Sequence, residues 1–205
     1  MLVRERMSRR VITIDPGRPP GEAEALLARH RIRQLPVLRD GQVVGIVTHR
    51  DLRGARRRQR TVAEVMTAKP VVIGPDAAVD EAARVLRTYK VGALPVVDGR
   101  ALVGIITIAD VLDAFVALSG VREATVRLDL VARSGRDLEA RARAAVERAH
   151  GQVCWLHRDA RARPPRLHVR VRARNVEDLV TALEADGFEV AGVVSAPTRA
   201  LRAPR

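Results

Sequence analysis

Gly45-Ile46-Val47-Thr48-His49-Arg50-Asp51 returns, without a gap, 59 residues later as Gly104-Ile105-Ile106-Thr107-Ile108-Ala109-Asp110. The same offset lays Leu35-Pro36-Val37 on Leu94-Pro95-Val96, Pro16 on Pro75, Met7 on Met66, Glu22-Ala23 on Glu81-Ala82 and Ile32 on Val91. A register kept over so many positions marks a duplicated unit. Two copies make a natural pair across a pseudo-twofold axis, each covering an apolar face that neither could hide alone.

Working outward within the first copy, Val11-Ile12-Thr13-Ile14 is a β-branched run that predicts a strand, closed by Asp15-Pro16-Gly17. A helix is predicted over 22–30, with Ala23, Leu26, Leu27 and His30 on its inner face. Two apolar runs then bracket Arg39-Asp40-Gly41-Gln42, whose Asp-Gly pair predicts a hairpin. Another helix begins near Thr48 and takes in Asp51 and Leu52. An arginine-rich linker ends in Thr61-Val62-Ala63-Glu64, which has the spacing of a capping box.

The second copy repeats the order. Val71-Val72-Ile73 predicts a strand, 78–89 a helix with Val79, Ala82, Leu86 and Tyr89 inward, and the stretches around Asp98-Gly99 a hairpin. The last helix is longer, with Val111, Leu112, Phe115 and Val116 as its apolar positions, and gives out at Ser119-Gly120, a domain boundary. Beyond it the pattern becomes strand, helix, strand, strand, helix, strand. Val126, Leu128 and Leu130 alternate with polar residues, and Leu138, Ala142, Ala145, Val146 and Ala149 share a helix face. Leu167 to Ala173 alternates throughout, Asn175 caps a helix that Gly187 ends, and a last strand follows. This is the ferredoxin-like order. The fold class is therefore α+β, and 196–205 reads as a disordered tail.

Composition narrows the function. The 205 residues, 47% hydrophobic, suffice for real cores. The net charge of +13 comes almost wholly from arginines spread along the chain, with Lys69 and Lys90 the only lysines. The cluster Arg53, Arg56, Arg57, Arg58 and Arg60 reads as a solvated linker, and 2% aromatics are too few for single-strand stacking platforms. Nucleic acid is thus disfavoured as a partner. The lone Cys154 leaves no disulfide framework, and the five histidines have no metal-ligand spacing. Cys154 reads as a small core residue, Trp155 and Tyr89 as packing residues, and His157 and His168 as lying on exposed strand sides. No membrane-length apolar run or signal peptide is found, so a cytoplasmic protein is expected. No Ser-His-Asp order, catalytic carboxylate pair or Walker loop supports an enzyme.

The duplicated Gly-x-x-Thr-x-x-Asp carries the chemistry. A threonine at a helix start lies beside free N–H groups and suits a phosphate. An aspartate one turn on can accept both hydroxyls of a ribose, and the small glycine lets backbone approach a ligand. The alternative is that Thr48 and Thr107 are helix caps and Asp51 and Asp110 favourable first-turn acids. Two copies in register, each preceded by Leu-Pro-Val, favour a ligand site.

On these residues, both copies resemble CBS domains, the cystathionine β-synthase type, and the pair resembles a Bateman module over residues 7 to 118. The resemblance implies a regulatory module binding AMP, ADP, ATP or S-adenosylmethionine, and from the histidine and cysteine pattern no metal is expected. Asp51 and Asp110 would hold ribose and Thr48 and Thr107 would meet phosphate. The base would lie near Thr13, Ile32, Leu35 and Pro36 in one site and near Val72, Val91, Ala93, Leu94 and Pro95 in the other. Arg31, Arg33 and Lys90 fall where the family's basic residues reach phosphates. Arg50, replaced by Ala109 in the second copy, leads us to expect the first site to favour the more phosphorylated ligand. The region 124–195 resembles an ACT domain, with Ser134-Gly135 a tight turn where that family has its ligand loop. The whole is similar to acetoin-utilisation proteins of the AcuB type.

The expected domains are 7–60, 61–119 and 124–195. The expected function is a non-catalytic adenine-nucleotide sensor, a homodimer acting on the ACT-like domain or a regulated partner. The alternative is an arginine-rich nucleic-acid-binding regulator using the face from Arg170 to Arg174 and the 53–60 cluster.

Overall fold

The computed structural model describes residues 1–54, 61–119, 125–132 and 137–195. The chain divides into two compact units, Met1–Ala114 and Phe115–Arg205.

In the first unit, α1 (Pro20–His30) starts on a proline, whose fixed φ suits the first helical turn. The antiparallel strands β1 (Gln34–Arg39) and β2 (Gln42–Thr48) follow, then α2 (His49–Gly54). Arg39 lies opposite Gln42, which leaves Asp40-Gly41 as a two-residue loop. Both loop residues have positive φ, 50° and 76°, the requirement that an Asp-Gly pair meets. A two-residue β3 (Thr67–Ala68) pairs with β2. The second copy gives α3 (Val79–Tyr89), β4 (Ala93–Asp98), β5 (Ala101–Thr107) and α4 (Ile108–Leu118). Each hairpin carries a bulge at the same place, between Val37 and Leu38 and between Val96 and Val97. The second loop is Gly99-Arg100, so its Asp98-Gly99 pair sits one position earlier than in the first.

The copies exchange their N-terminal segments. Val3 and Met7 are buried in the core of the second copy, with Ile73, Ala82, Leu86, Leu94, Val96 and Ile106. Val62, with Val65 and Met66 beside it, fills the first copy's core, among Ile14, Ala23, Leu27, Leu35, Val37 and Val47. Matching backbone bonds fix both segments. Val3 N and Arg4 N donate to the carbonyls of Ala77 and Pro75, at 2.9 Å each. Val62 N and Ala63 N donate to those of Arg18 and Pro16, at 2.7 and 2.9 Å.

Several expectations are corrected. Val11-Ile14 and Val71-Ile73 form no strands; each contributes one parallel bridge, Ile14 to Val37 and Ile73 to Val96. A β-branched run needs a partner along its length, and each run meets its neighbouring strand at one residue only. His30 is exposed, and Tyr89 is 59% exposed, because both are last in helices that pass into a left-handed turn. Thr61 precedes a 3-10 turn, Val62–Glu64, but makes no side-chain cap bond. Leu112 and Phe115 on α4 are exposed at 59% and 54%.

The second unit is an antiparallel sheet in the order β7 (Gln152–Asp159), β8 (Arg166–Arg172), β6 (Val126–Ala132), β9 (Phe188–Ser195), with α5 (Leu138–Arg148) and α6 (Val176–Ala185). This is the ferredoxin-like arrangement. Leu128 and Leu130 of β6, and Leu167, Val169 and Val171 of β8, meet Ala142, Ala145, Val146, Leu179 and Leu183 of the helices in one core. Asn175 accepts from Glu177 N at 2.9 Å, as an N-cap should, and Gly187 (φ 81°) follows the end of α6. Cys154 is half-buried beside a bulge of β7 rather than in the core. Ser134-Gly135, Arg56 to Arg60, Gly120 and 196–205 lie outside the described residues.

Candidate functional site

Thr48 ends β2 and Asp51 lies in the first turn of α2, so the strand delivers the threonine and the helix returns the carboxylate to it. Thr48 donates to Asp51 Oδ2 from its backbone N at 2.8 Å and from Oγ1 at 2.7 Å, and Asp51 N donates back to Thr48 Oγ1 at 3.4 Å. Thr107 and Asp110 repeat the set at 2.7, 2.7 and 3.3 Å. Each pair is therefore a reciprocal cap, as the simpler reading expected. The cap uses only Oδ2. Oδ1 of each aspartate makes no hydrogen bond among the described residues, so the two roles do not compete.

The glycine of the motif has a different cause from the one expected. A Cβ at Gly45 would stand 2.2 Å from Met66 Sδ, and one at Gly104 would stand 2.5 Å from Met7 Sδ. The glycines admit the methionines of the exchanged segments, not a ligand.

Two clefts result. The first, of about 740 Å³, is lined by Thr48, His49, Arg50, Asp51 and Arg53 from the first copy and by Lys69, Val71, Lys90, Val91 and Ala93 from the second. The second, of about 620 Å³, sets Thr107, Ile108, Ala109 and Leu112 of the second copy against Arg10, Val11, Ile12, Arg31, Ile32 and Pro36 of the first. Both volumes fall in the range of roughly 300–1,000 Å³ usual for small-ligand pockets. Each threonine turn thus faces the other copy's apolar edge and basic residues.

Of the residues singled out by sequence, Arg31, Ile32, Arg33, Pro36, Thr48, Arg50, Asp51, Lys90, Val91, Ala93 and Thr107 line a cleft. Leu35 and Leu94 are fully buried in the two cores and line neither; Thr13, Val72, Pro95 and Asp110 also lie outside both linings. Arg10, Lys69, Val71, Ile12, His49 and Ile108 are lining residues that the sequence reading missed. The internal repeat held the signal, since the same offset places basic Lys69 on basic Arg10 and Val71 on Ile12.

Arg31 and Lys90 share a further property. Each follows its helix in the left-handed conformation, φ 53°, ψ 38°, and donates its N–H to the preceding turn. Glycine is the usual residue there, because a side chain costs about 1–2 kcal/mol. In both copies a long cation is held instead, with its side chain at the cleft. Such costs concentrate at functional positions.

Two arginines of β8 are tied by hydrogen bonds to neighbouring side chains. Arg170 donates to Thr125 Oγ1 at 3.3 Å and Arg172 to Gln152 Oε1 at 2.9 Å. His168, half-buried rather than exposed, bonds Asp129 Oδ1 at 2.7 Å, while Arg127 pairs with Oδ2 at 3.1 Å. Burial alone would raise the Asp129 carboxyl, but the His168 bond and the charge and bond of Arg127 hold it below its ordinary value. Trp155 is half-buried and stacks on exposed His157, ring centroids 5.8 Å apart. Among the described residues no cluster of three or more His, Cys, Asp or Glu could hold a metal, and no helix is long and apolar enough to cross a membrane.

Comparison with known proteins agrees with this geometry. An inosine-5'-monophosphate dehydrogenase of Korarchaeum cryptofilum (strain OPF8) is 38% identical over 104 residues, which is 50% of this chain and 22% of that protein. The chain thus spans under a quarter of that enzyme's length, and no catalytic activity follows from the likeness. The CBS domain pair of protein MJ0100, solved with 5'-methylthioadenosine and S-adenosyl-L-methionine, is 32% identical with a TM-score of 0.54, covering 57% of this chain and 97% of that one. An acetoin utilization protein (AcuB) from Vibrio cholerae is 29% identical with a TM-score of 0.55, covering 60% and 96%. The CBS domain description matches twice, over residues 3–58 and 62–117. With its two copies matched end to end and their clefts in place, the chain belongs to the CBS domain family.

Proposed function

We propose that this protein is a non-catalytic sensor whose two clefts bind adenosine-containing ligands, AMP, ADP, ATP or S-adenosylmethionine. One observation carries the reading. Twice, the threonine of a Thr-x-x-Asp turn in one copy faces an apolar edge and a left-handed basic residue of the other. The parts suit a nucleoside. The ribose hydroxyls donate to Asp51 or Asp110, the basic side chains meet a phosphate beside the threonine, and the base lies on Val71, Val91 and Ala93 in one cleft and on Ile12, Ile32 and Pro36 in the other. Arg50, Arg53, Lys69 and Lys90 give the first cleft more cations than the second, which suits a more phosphorylated ligand.

We assign 7–60 and 61–119 to the CBS units and 124–195 to an ACT-like unit, whose element order supports the assignment. Ligand binding would shift the arrangement of the pair, which that unit or a protein partner reads. The shift is bounded by the ligand's differential affinity for the two arrangements. A cytoplasmic homodimer completes the reading. Titration calorimetry against AMP, ADP, ATP and S-adenosylmethionine tests it, with an Asp51→Ala, Asp110→Ala double variant as control. Saturable binding lost in the double variant is expected. An intact protein that binds none of the four contradicts the sensor reading.

A further inference from the structure

Arg33, Gln34 and Gly92 line both clefts. The 59-residue offset places position 33 on position 92, so the pseudo-twofold axis relates an arginine to a glycine. Their backbones are held alike. The Arg33 carbonyl accepts from His49 N at 3.3 Å, and the Gly92 carbonyl accepts from Ile108 N at 3.2 Å. A Cβ on Gly92 would stand 3.2 Å from Gln34 Oε1, so the copies touch at this seam. The Arg33 side chain is exposed and makes no ion pair or hydrogen bond among the described residues.

We propose that Arg33 is one guanidinium shared by two clefts, so that a phosphate bound in either withdraws it from the other. The inference rests on the clefts being nucleotide sites. A guanidinium binds phosphate with two parallel N–H donors on one edge of its planar fork, and that edge can turn to one cleft at a time. Gly92 supplies no second cation at the equivalent place. Phosphorylated ligands in the two clefts are therefore negatively coupled, and an unphosphorylated nucleoside is not. The coupling is reciprocal, because it is a free energy between sites.

The test measures ADP and adenosine by calorimetry on the full chain. Asp51→Ala silences the first cleft and Asp110→Ala the second. With the first silenced, ADP should bind the second roughly tenfold more tightly than in the intact protein at saturation, the weight of one charge-assisted hydrogen bond. Silencing the second should tighten the first by the same factor. Arg33→Gly, which copies Gly92, should erase both gains, and so should Gly92→Arg, which gives each cleft its own cation. Its new Cβ meets only the movable end of the Gln34 side chain. Adenosine should show no gain in any variant. ADP binding whose gain is absent, or survives Arg33→Gly, overturns the sharing alone. Failure of the intact protein to bind ADP overturns the sharing, and failure to bind AMP, ATP and S-adenosylmethionine as well overturns the nucleotide reading with it.

Discussion

The two clefts have the same frame and different linings. Each is lined by the threonine of an equivalent Thr-Asp cap in one copy and a left-handed cation of the other, the caps at matching distances. Yet at the equivalent positions the first has His49, Arg50 and Arg53 where the second has Ile108, Ala109 and Leu112. The difference teaches that duplication fixes the frame, while the first residues of α2 and α4 set the charge of each cleft, which on the proposed reading sets its ligand preference. On that reading a purine and ribose need only the shared frame, and phosphates need the cations.

The largest break in this comparison should come from the aspartates. Asp51→Ala should weaken adenosine and ADP alike in the first cleft by roughly a hundredfold, the loss of two hydrogen bonds to a charged group, and Asp110→Ala should do the same in the second. Calorimetry on the single variants reads this. Next come the glycines. Gly45→Ala and Gly104→Ala force Cβ against Met66 and Met7, and each should cost about 1–3 kcal/mol in urea unfolding. Similar losses support the exchanged segments, and a neutral result at either glycine contradicts them. Lys90→Ala should weaken ADP in the first cleft by roughly tenfold and leave adenosine unchanged. Ala109→Arg should raise ADP affinity in the second cleft, which narrows the contrast.

The smallest effect lies outside the clefts. The Asp129 carboxyl is depressed in the folded second unit, so it contributes stability that is present above its ordinary value of 3.8 and lost as pH falls through its lower folded value. The direct reading is the slope of stability against pH below 3.8, which should be shallower in Asp129→Asn.

Much of this was legible in the residues. The Asp40-Gly41 hairpin, the alternation of β8 and the Asn175 cap follow from local chemistry that no distant contact overrides. The offset found the Thr-x-x-Asp turns. It could not say which copy's edge each turn would face, because a contact within a copy and one between copies leave the same repeat. For that reason Gly45 read as a ligand approach when its neighbour is Met66, and Val11-Ile14 read as a strand when only Ile14 bridges to β1. Leu35 and Leu94 stand beside the prolines of the motif, but β alternation turns them into the cores. Arg31 and Lys90 carry no sequence mark of a left-handed turn, since the glycine that announces one is missing.

The most direct measurement is the ratio of ATP to adenosine affinity, taken for the first cleft in Asp110→Ala and for the second in Asp51→Ala. Both clefts should bind adenosine, and the ratio should be roughly tenfold or more larger in the first. Equal ratios, or a larger one in the second cleft, would contradict the account.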